Sequence, residues 1–414
     1  MSHKEIPEYT EVRHPIDHDK LVKYLTTISS QSKNTTLGPH YPEYLKNISK
    51  LDIKQFTFGQ SNPTYHITDL NTGKVFVLRK KPSPNSKLIS RSAHAIEREF
   101  FILRGINILN LDQNDEDKKV PIPDVYALCE DESVIGYVFY VMEYIKGIQI
   151  KNPDMPGIPI DDQHKYWNSI VNTISSIHLL DAEKLISYLP SHHFPQFQNI
   201  DKLKGSSYFQ RQIKTLKAIE TKQSEYVDRI PDFDDLCKDI LRLAPKDPAK
   251  LTLIHGDLKI DNILFDPETK KVKGILDWEL CTIGHPLFDL SNFLQAFQVP
   301  NKLNLLLYKP QKTDIGRENN GSIDFIYKQL AKYNEKVTWD PKDLSNNATD
   351  LWLIGFTFGL LRLSIITQGI AMRVKQGNAS SGNASGYASL YPYLSKLARE
   401  GIVEYESKKK LNKL

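Results

Sequence analysis

The sequence predicts a two-lobed α+β fold: a small mixed β lobe, then a large helical lobe with one hairpin at its entrance. Three observations predict it. Residues 51–147 carry the pattern strand, strand, strand, helix, strand, strand. Gly and Pro then cluster in "KGIQIKNPDMPGIP" (146–159), and beyond that break the apolar spacing turns helical. The one strong β signal of the second half is "LIHGDLKIDNILFD" (253–266) with its partner "KVKGILDW" (271–278), a hairpin around "DPETKK". The chain thus divides into an N-terminal helix and linker (1–50), a small lobe (51–147) and a helical lobe (148–414).

The elements follow in order. Leu21, Tyr24, Leu25 and Ile28 share one helical face within 17–29, with Asp17 or Asp19 as the N-cap. Strand-like runs occupy 55–58 and 64–68, and the turn "NTG" (71–73) leads into "KVFVLRK" (74–80). Residues 92–104 form a helix with Ile96, Phe100 and Leu103 spaced for burial, and strands follow near 124–128 and 137–145. Further helices are predicted over 164–180, 207–222, 233–243, 289–298, 322–333, 350–372 and 387–408.

Composition excludes several classes. The chain has 414 residues, 40% hydrophobic and 25% charged, with a formal net charge of +4. That is an ordinary globular balance with no concentrated basic stripe, so no nucleic-acid partner is expected. Three scattered cysteines with no CxxC pair predict neither a disulfide framework nor a zinc site. "MSHKEIPEYT" lacks an apolar core, so no secretory signal is expected, and the N-x-S/T sequons read as accidental. Residues 351–371 have the length of a membrane span, but Arg362, Ser364, Thr367 and Gln368 interrupt them; a buried helix is expected and no membrane span. The terminal Asn412-Lys413-Leu414 is a variant of the S-K-L peroxisomal address, or else the end of a solvated basic tail.

Chemistry concentrates on the hairpin. Asp257 and Asn262 lie five apart, and the paired strand delivers Asp277 to the same edge. Two carboxylates and an amide there suit magnesium-dependent phosphoryl transfer: one carboxylate orients an acceptor hydroxyl, while the amide oxygen and the second carboxylate hold Mg²⁺. A polar turn capped by Asp and Asn is the competing reading.

"HGDLKIDN" resembles the HGDxxxxN loop of the aminoglycoside phosphotransferase and choline kinase family, which shares the protein-kinase-like fold, and "ILDWE" resembles its metal-binding aspartate motif. The resemblance implies ATP and Mg²⁺ as cofactors, Asp257 as catalytic base, Lys259 near the transferred phosphate, and Asn262 and Asp277 as metal ligands. It makes 51–147 a nucleotide-binding lobe, with Gly59, Gln60, Ser61 and Asn62 as the phosphate loop and Val77 on the nucleotide wall. Arg79 takes the usual lysine position, with Lys80 as the alternative; Glu99 is its partner, with Glu97 as the alternative. Met142 becomes the gatekeeper, and Glu143, Tyr144 and Ile145 the hinge that meets adenine. Asp289 buttresses the catalytic loop, and His178 reads as core.

An ordered set, "FGQSNPTY", "VLRKKP", "SAHAIEREF", "HGDLKIDNILF", "LDWELCTIGHPLFDL" and "QGNASSG", is most similar to the kinase domain fused to acyl-CoA dehydrogenase in some lipid-oxidation enzymes. This implies a 4-hydroxyacyl-CoA acceptor, a separate acyl-CoA dehydrogenase-like partner, and a peroxisomal location with the cytoplasm as the alternative; the competing readings are a kinase of a sugar, choline-like base or aminoglycoside, and an ATP-binding pseudokinase scaffold. The acceptor site is expected near 207–212 and 362–376, where Arg211 and Arg373 either meet CoA phosphates or form surface salt bridges.

Overall fold

The computed structural model describes residues 9–10, 12, 15–28, 36–57, 62–82, 95–300, 303, 322–378 and 384–411. The small lobe is built on β1 (Tyr9–Thr10), β2 (Leu51–Phe56), β3 (Thr64–Asp69), β4 (Val75–Lys80), β5 (Val125–Cys129) and β6 (Phe139–Glu143). They form one sheet in the order β1-β2-β3-β4-β6-β5, antiparallel throughout. Helices α1 (His18–Ile28) and α2 (Ile96–Leu111) cover it.

Period-two alternation gives the sheet two buried faces. Phe76 and Leu78 of β4 point to the side where α1 packs Leu21, Leu25 and Ile28. Val77 points to the opposite side, with Phe100 and Leu103 of α2. Asp17 caps α1, its carboxylate accepting the Lys20 N–H at 3.1 Å, and His18 Nε2 accepts the Leu51 N–H at 2.9 Å. The first helix is therefore fastened to the sheet.

The large lobe contains α3 (Ile160–Leu179), α4 (Ala182–Ser187), α5 (Ile200–Lys204), α6 (Tyr208–Gln223), α7 (Phe233–Leu243), α8 (Leu287–Leu294), α9 (Ser322–Asn334), α10 (Trp352–Lys375), α11 (Ala384–Ala388) and α12 (Tyr391–Leu411). The helix expected over 387–408 is interrupted at Ser389-Leu390, which separates α11 from α12. Helix α10 is long and apolar enough to cross a membrane, yet most of it is buried against α6, α7, α8 and α12. Glycines allow that close approach. A Cβ on Gly401 of α12 would stand 2.4 Å from the Thr357 hydroxyl of α10.

Five short strands sit at the lobe entrance: β7 (Ile148–Gln149), β8 (Leu253–Ile254), β9 (Ile263–Phe265), β10 (Val272–Ile275) and β11 (Thr282–Ile283). The hairpin β9–β10 forms as expected, β7 adds to β9, and β8 pairs with β11. Two-residue strands carry no alternation, so sequence reading missed β7 and β11, while β8 was read as the start of the 253–266 β signal.

Candidate active site

The hairpin register assembles the polar edge. Ile263 faces Ile275 across the ladder, and the Leu276 N–H donates to Asn262 O at 2.9 Å. Asn262 and Asp277 therefore leave their strands side by side. The Asn262 amide is oriented by Nδ2 donating to Asp257 O at 2.9 Å, which leaves Oδ1 as the cleft-side acceptor.

The loop before Asp257 has little freedom. Gly256 has φ +85°, and a Cβ there would stand 2.3 Å from Leu280 O, so the position requires glycine. Buried Asp289 accepts the His255 N–H at 2.7 Å and the Gly256 N–H at 2.9 Å. Burial opposes its charge, but His178 and the loop N–H groups outweigh burial and hold its carboxyl below the usual range. His178 lies in the core, as read from sequence, and bridges Asp289 Oδ2 at 3.3 Å to the Tyr333 hydroxyl at 2.8 Å. His255 Nδ1 accepts the Asp257 N–H at 3.3 Å, which assigns its proton to Nε2, 3.0 Å from Leu276 O. Asp257 is thus presented from a braced backbone, with its side chain about one-third exposed. Lys259 Nζ lies 3.4 Å from Asp257 and 3.8 Å from Asp261.

Arg79 joins the two lobes. Its Nη1 meets Glu99 Oε1 at 3.1 Å, and its Nη2 meets Asp277 Oδ1 at 2.7 Å and Glu279 Oε2 at 3.5 Å. A forked guanidinium can bridge carboxylates in this way, and a lysine ammonium cannot do so with the same planar geometry. Lys80 points to the other sheet face, its Nζ 3.6 Å over the Tyr137 ring, and burial lowers its pKa to about 8. Glu97 pairs with Lys81. The pair across the lobe is therefore Arg79–Glu99.

Between the lobes lies a cleft of about 390 Å³. Val77 and Met142 line its apolar wall with Phe56, Leu264 and Ile275, while Arg79, Lys259, Asn262 and Asp277 line its polar end. Glu143, Tyr144 and Ile145 complete the wall, but Glu143 turns partly away: its N–H donates to Asp124 O at 2.7 Å, and its carboxylate accepts the Asp124 N–H at 3.2 Å. Gly59, Gln60, Ser61 and the terminal Asn412-Lys413-Leu414 lie outside the described residues. Asn62 requires a correction. Read from sequence as a phosphate-facing donor, it is fully buried, and its Nδ2 donates to Glu279 Oε2 at 2.9 Å. Arg211 is also spoken for: Nη1 donates to the Ser206 carbonyl, and Nη2 donates to Ile283 O at 3.3 Å.

Sequence reasoning missed Glu279. It lies two residues beyond Asp277, where no spacing rule separates it from a surface acid. Burial and repulsion from Asp277 raise its pKa to about 7, because Arg79 sits closer to Asp277 and Glu99 and compensates Glu279 only in part. Between its ordinary value of 4.5 and about 7, the folded state retains a proton that the unfolded chain releases. Stability therefore falls as pH rises through that window. The expected result for Glu279→Gln is a gain in stability relative to the parent between pH 5 and pH 8, read from urea unfolding of the ligand-free protein. Parallel pH profiles would contradict this.

The donor set fits a hard divalent cation. Asn262 and Asp277 both line the cleft and carry side-chain oxygens of the kind such a cation takes, and Arg79, His255 and Lys259 overcome burial to keep Asp277 ionised below the usual carboxylate range.

The chain is similar to known proteins over most of its length. The model of the "Phosphotransferase enzyme family" matches residues 52–312, a span that holds Arg79, Glu99, Asp257, Asn262, Asp277 and Asp289. Acyl-CoA dehydrogenase family member 10 of Mus musculus is 30% identical over 405 residues, covering 96% of this chain and 32% of that protein. The chain thus spans about a third of that relative's length. A Ralstonia eutropha crystal structure named as an aminoglycoside phosphotransferase superposes with TM-score 0.65 at 25% identity, covering 94% of this chain and 99% of the other. Plasmodium vivax ethanolamine kinase shares the fold, with TM-score 0.55 at 14% identity over 95% of this chain and 99% of its own. With a family match that covers more than half of the chain and encloses the braced loop, Asn262 and Asp277, this protein belongs to the phosphotransferase enzyme family and has its two-lobed kinase-like fold.

Proposed function

We propose that the chain transfers the γ-phosphate of ATP to the 4-hydroxyl of a 4-hydroxyacyl-CoA. The observation that carries the chemistry is the hairpin edge that sets Asn262 beside Asp277, with the Asn262 amide bonded to the Asp257 carbonyl and Asp277 paired with Arg79. The acceptor class is supported by the acyl-CoA dehydrogenase name of the 30%-identical relative.

In this reading, Asp257 accepts the hydroxyl proton as the acceptor oxygen bonds to phosphorus and the bond to the β-phosphate oxygen breaks, releasing ADP. Asn262 and Asp277 would hold Mg²⁺, which would neutralise charge on the phosphates. Arg79 and Lys259 orient the phosphates, and Val77, Met142, Tyr144 and Ile145 enclose the base. Asp289 and His178 keep the loop in position. An acyl-CoA dehydrogenase-like activity then consumes the phosphorylated thioester.

The test is ADP release with MgATP across 4-hydroxyacyl-CoAs, sugars, amino alcohols and aminoglycosides. Turnover confined to the CoA thioesters is expected; turnover confined to another acceptor would overturn the substrate assignment. ATP binding with no turnover on any of them would mark a non-catalytic scaffold.

A further inference from the structure

We propose that Arg362 and Arg373 form the two ends of an acceptor subsite on α10, with the thioester carbonyl at Arg362 and the nucleotide phosphates of CoA at Arg373. This rests on the CoA-thioester reading above. The two residues are eleven apart, three helical turns, so they share one face at an axial separation of about 16.5 Å. An extended pantetheine arm, about a dozen bonds, spans roughly 14 Å. Between them on the same face lie Ile366, 46% exposed, and the partly buried Ile370. That face presents a cation at each end, with Ile366 and Gly369 between them and the Gln223 side chain of α6 packed against Gly369.

Position relates Arg362 to the chemistry. Its guanidinium carbon stands 3.8 Å over the Phe288 ring, and Phe288 precedes Asp289, the carboxylate that holds the His255 and Gly256 N–H groups. Its charge also interacts with Asp257. Burial lowers the pKa of both guanidinium groups, the cost of a cation that has lost part of its hydration.

Neither guanidinium has a hydrogen bond or ion pair among the described residues, although each offers five donors. Other arginines of the lobe are matched: Arg229 with Glu220 and Asp234, Arg242 with Asp239 and Glu406, and Arg399 with Asp239. Two partly buried guanidinium groups whose N–H donors have no hydrogen-bond partner among the described residues, on the helix beside the catalytic loop, call for an anionic or carbonyl-bearing ligand.

The test uses the full chain, MgATP and two acceptors: a 4-hydroxyacyl-CoA and the same acyl group on N-acetylcysteamine, which keeps the thioester and lacks the nucleotide phosphates. Arg373→Gln is expected to raise KM for the CoA thioester about tenfold or more, the loss of a charge-assisted hydrogen bond. The truncated thioester should not register that loss. Arg362→Gln is expected to lower kcat/KM for both acceptors by similar factors. Calorimetry of free CoA without ATP should show weaker binding to Arg373→Gln, with Arg373→Lys restoring most of it. Equal effects of Arg373→Gln on both thioesters, or unchanged CoA binding, would overturn the subsite. If the parent protein phosphorylates the CoA thioester and both variants match it, only the subsite fails. If it phosphorylates neither thioester but another acceptor, the substrate reading fails.

Discussion

Asp257→Asn is expected to lower kcat by about 10²–10⁴-fold, the usual contribution of a positioned general base. The asparagine keeps the size and the backbone bonds of the position but cannot take the acceptor's proton. The fold should persist, because the carboxylate is about one-third exposed and its described side-chain ion pair is with Lys259. Affinity for ATP should hold, since Asp257 is not among the residues lining the interlobe cleft. Steady-state kinetics with a nucleotide-binding assay would separate the two effects. An unchanged kcat would remove Asp257 as the base.

Arg79→Met is the second large effect, and it acts on stability as well as rate. It leaves Glu99, whose side chain is 1% exposed, facing Asp277 and Glu279 with no guanidinium between them. Removing one partner of a buried charge network costs about 3–5 kcal/mol. Urea unfolding at pH 8 should report that loss, and it should shrink at low pH, where protonation neutralises the carboxylates. Arg79→Lys should recover part of the stability while ATP-dependent turnover stays low, because one ammonium cannot bridge Glu99 and Asp277 as the fork does. An Arg79→Met protein with the parent's urea midpoint would show that the network carries no stability.

Local signals made much of this fold legible. The hairpin is readable because two apolar runs flank a DPETKK turn, and α7 because its apolar spacing starts and stops cleanly at 233 and 243. Register decided between Arg79 and Lys80, since successive strand residues point to opposite faces. What escaped was set by contacts far apart in sequence. Asn62 looks like a loop donor until Glu279 arrives 217 residues later to accept its amide proton. His178 reads as a core histidine and is one, but its link to Asp289 spans 111 residues and leaves no local trace. The two-residue strands β7 and β11 depend on pairing alone.

The most direct measurement is the structure of the product itself. Purified protein, MgATP and a 4-hydroxyacyl-CoA are incubated, and the thioester is analysed by mass spectrometry and phosphorus–proton correlation NMR. The expected result is a gain of one phosphoryl group per ADP formed, with phosphorus coupled to the proton on C4. ATP hydrolysis without a phosphorylated thioester, or phosphate at any other position, would contradict it.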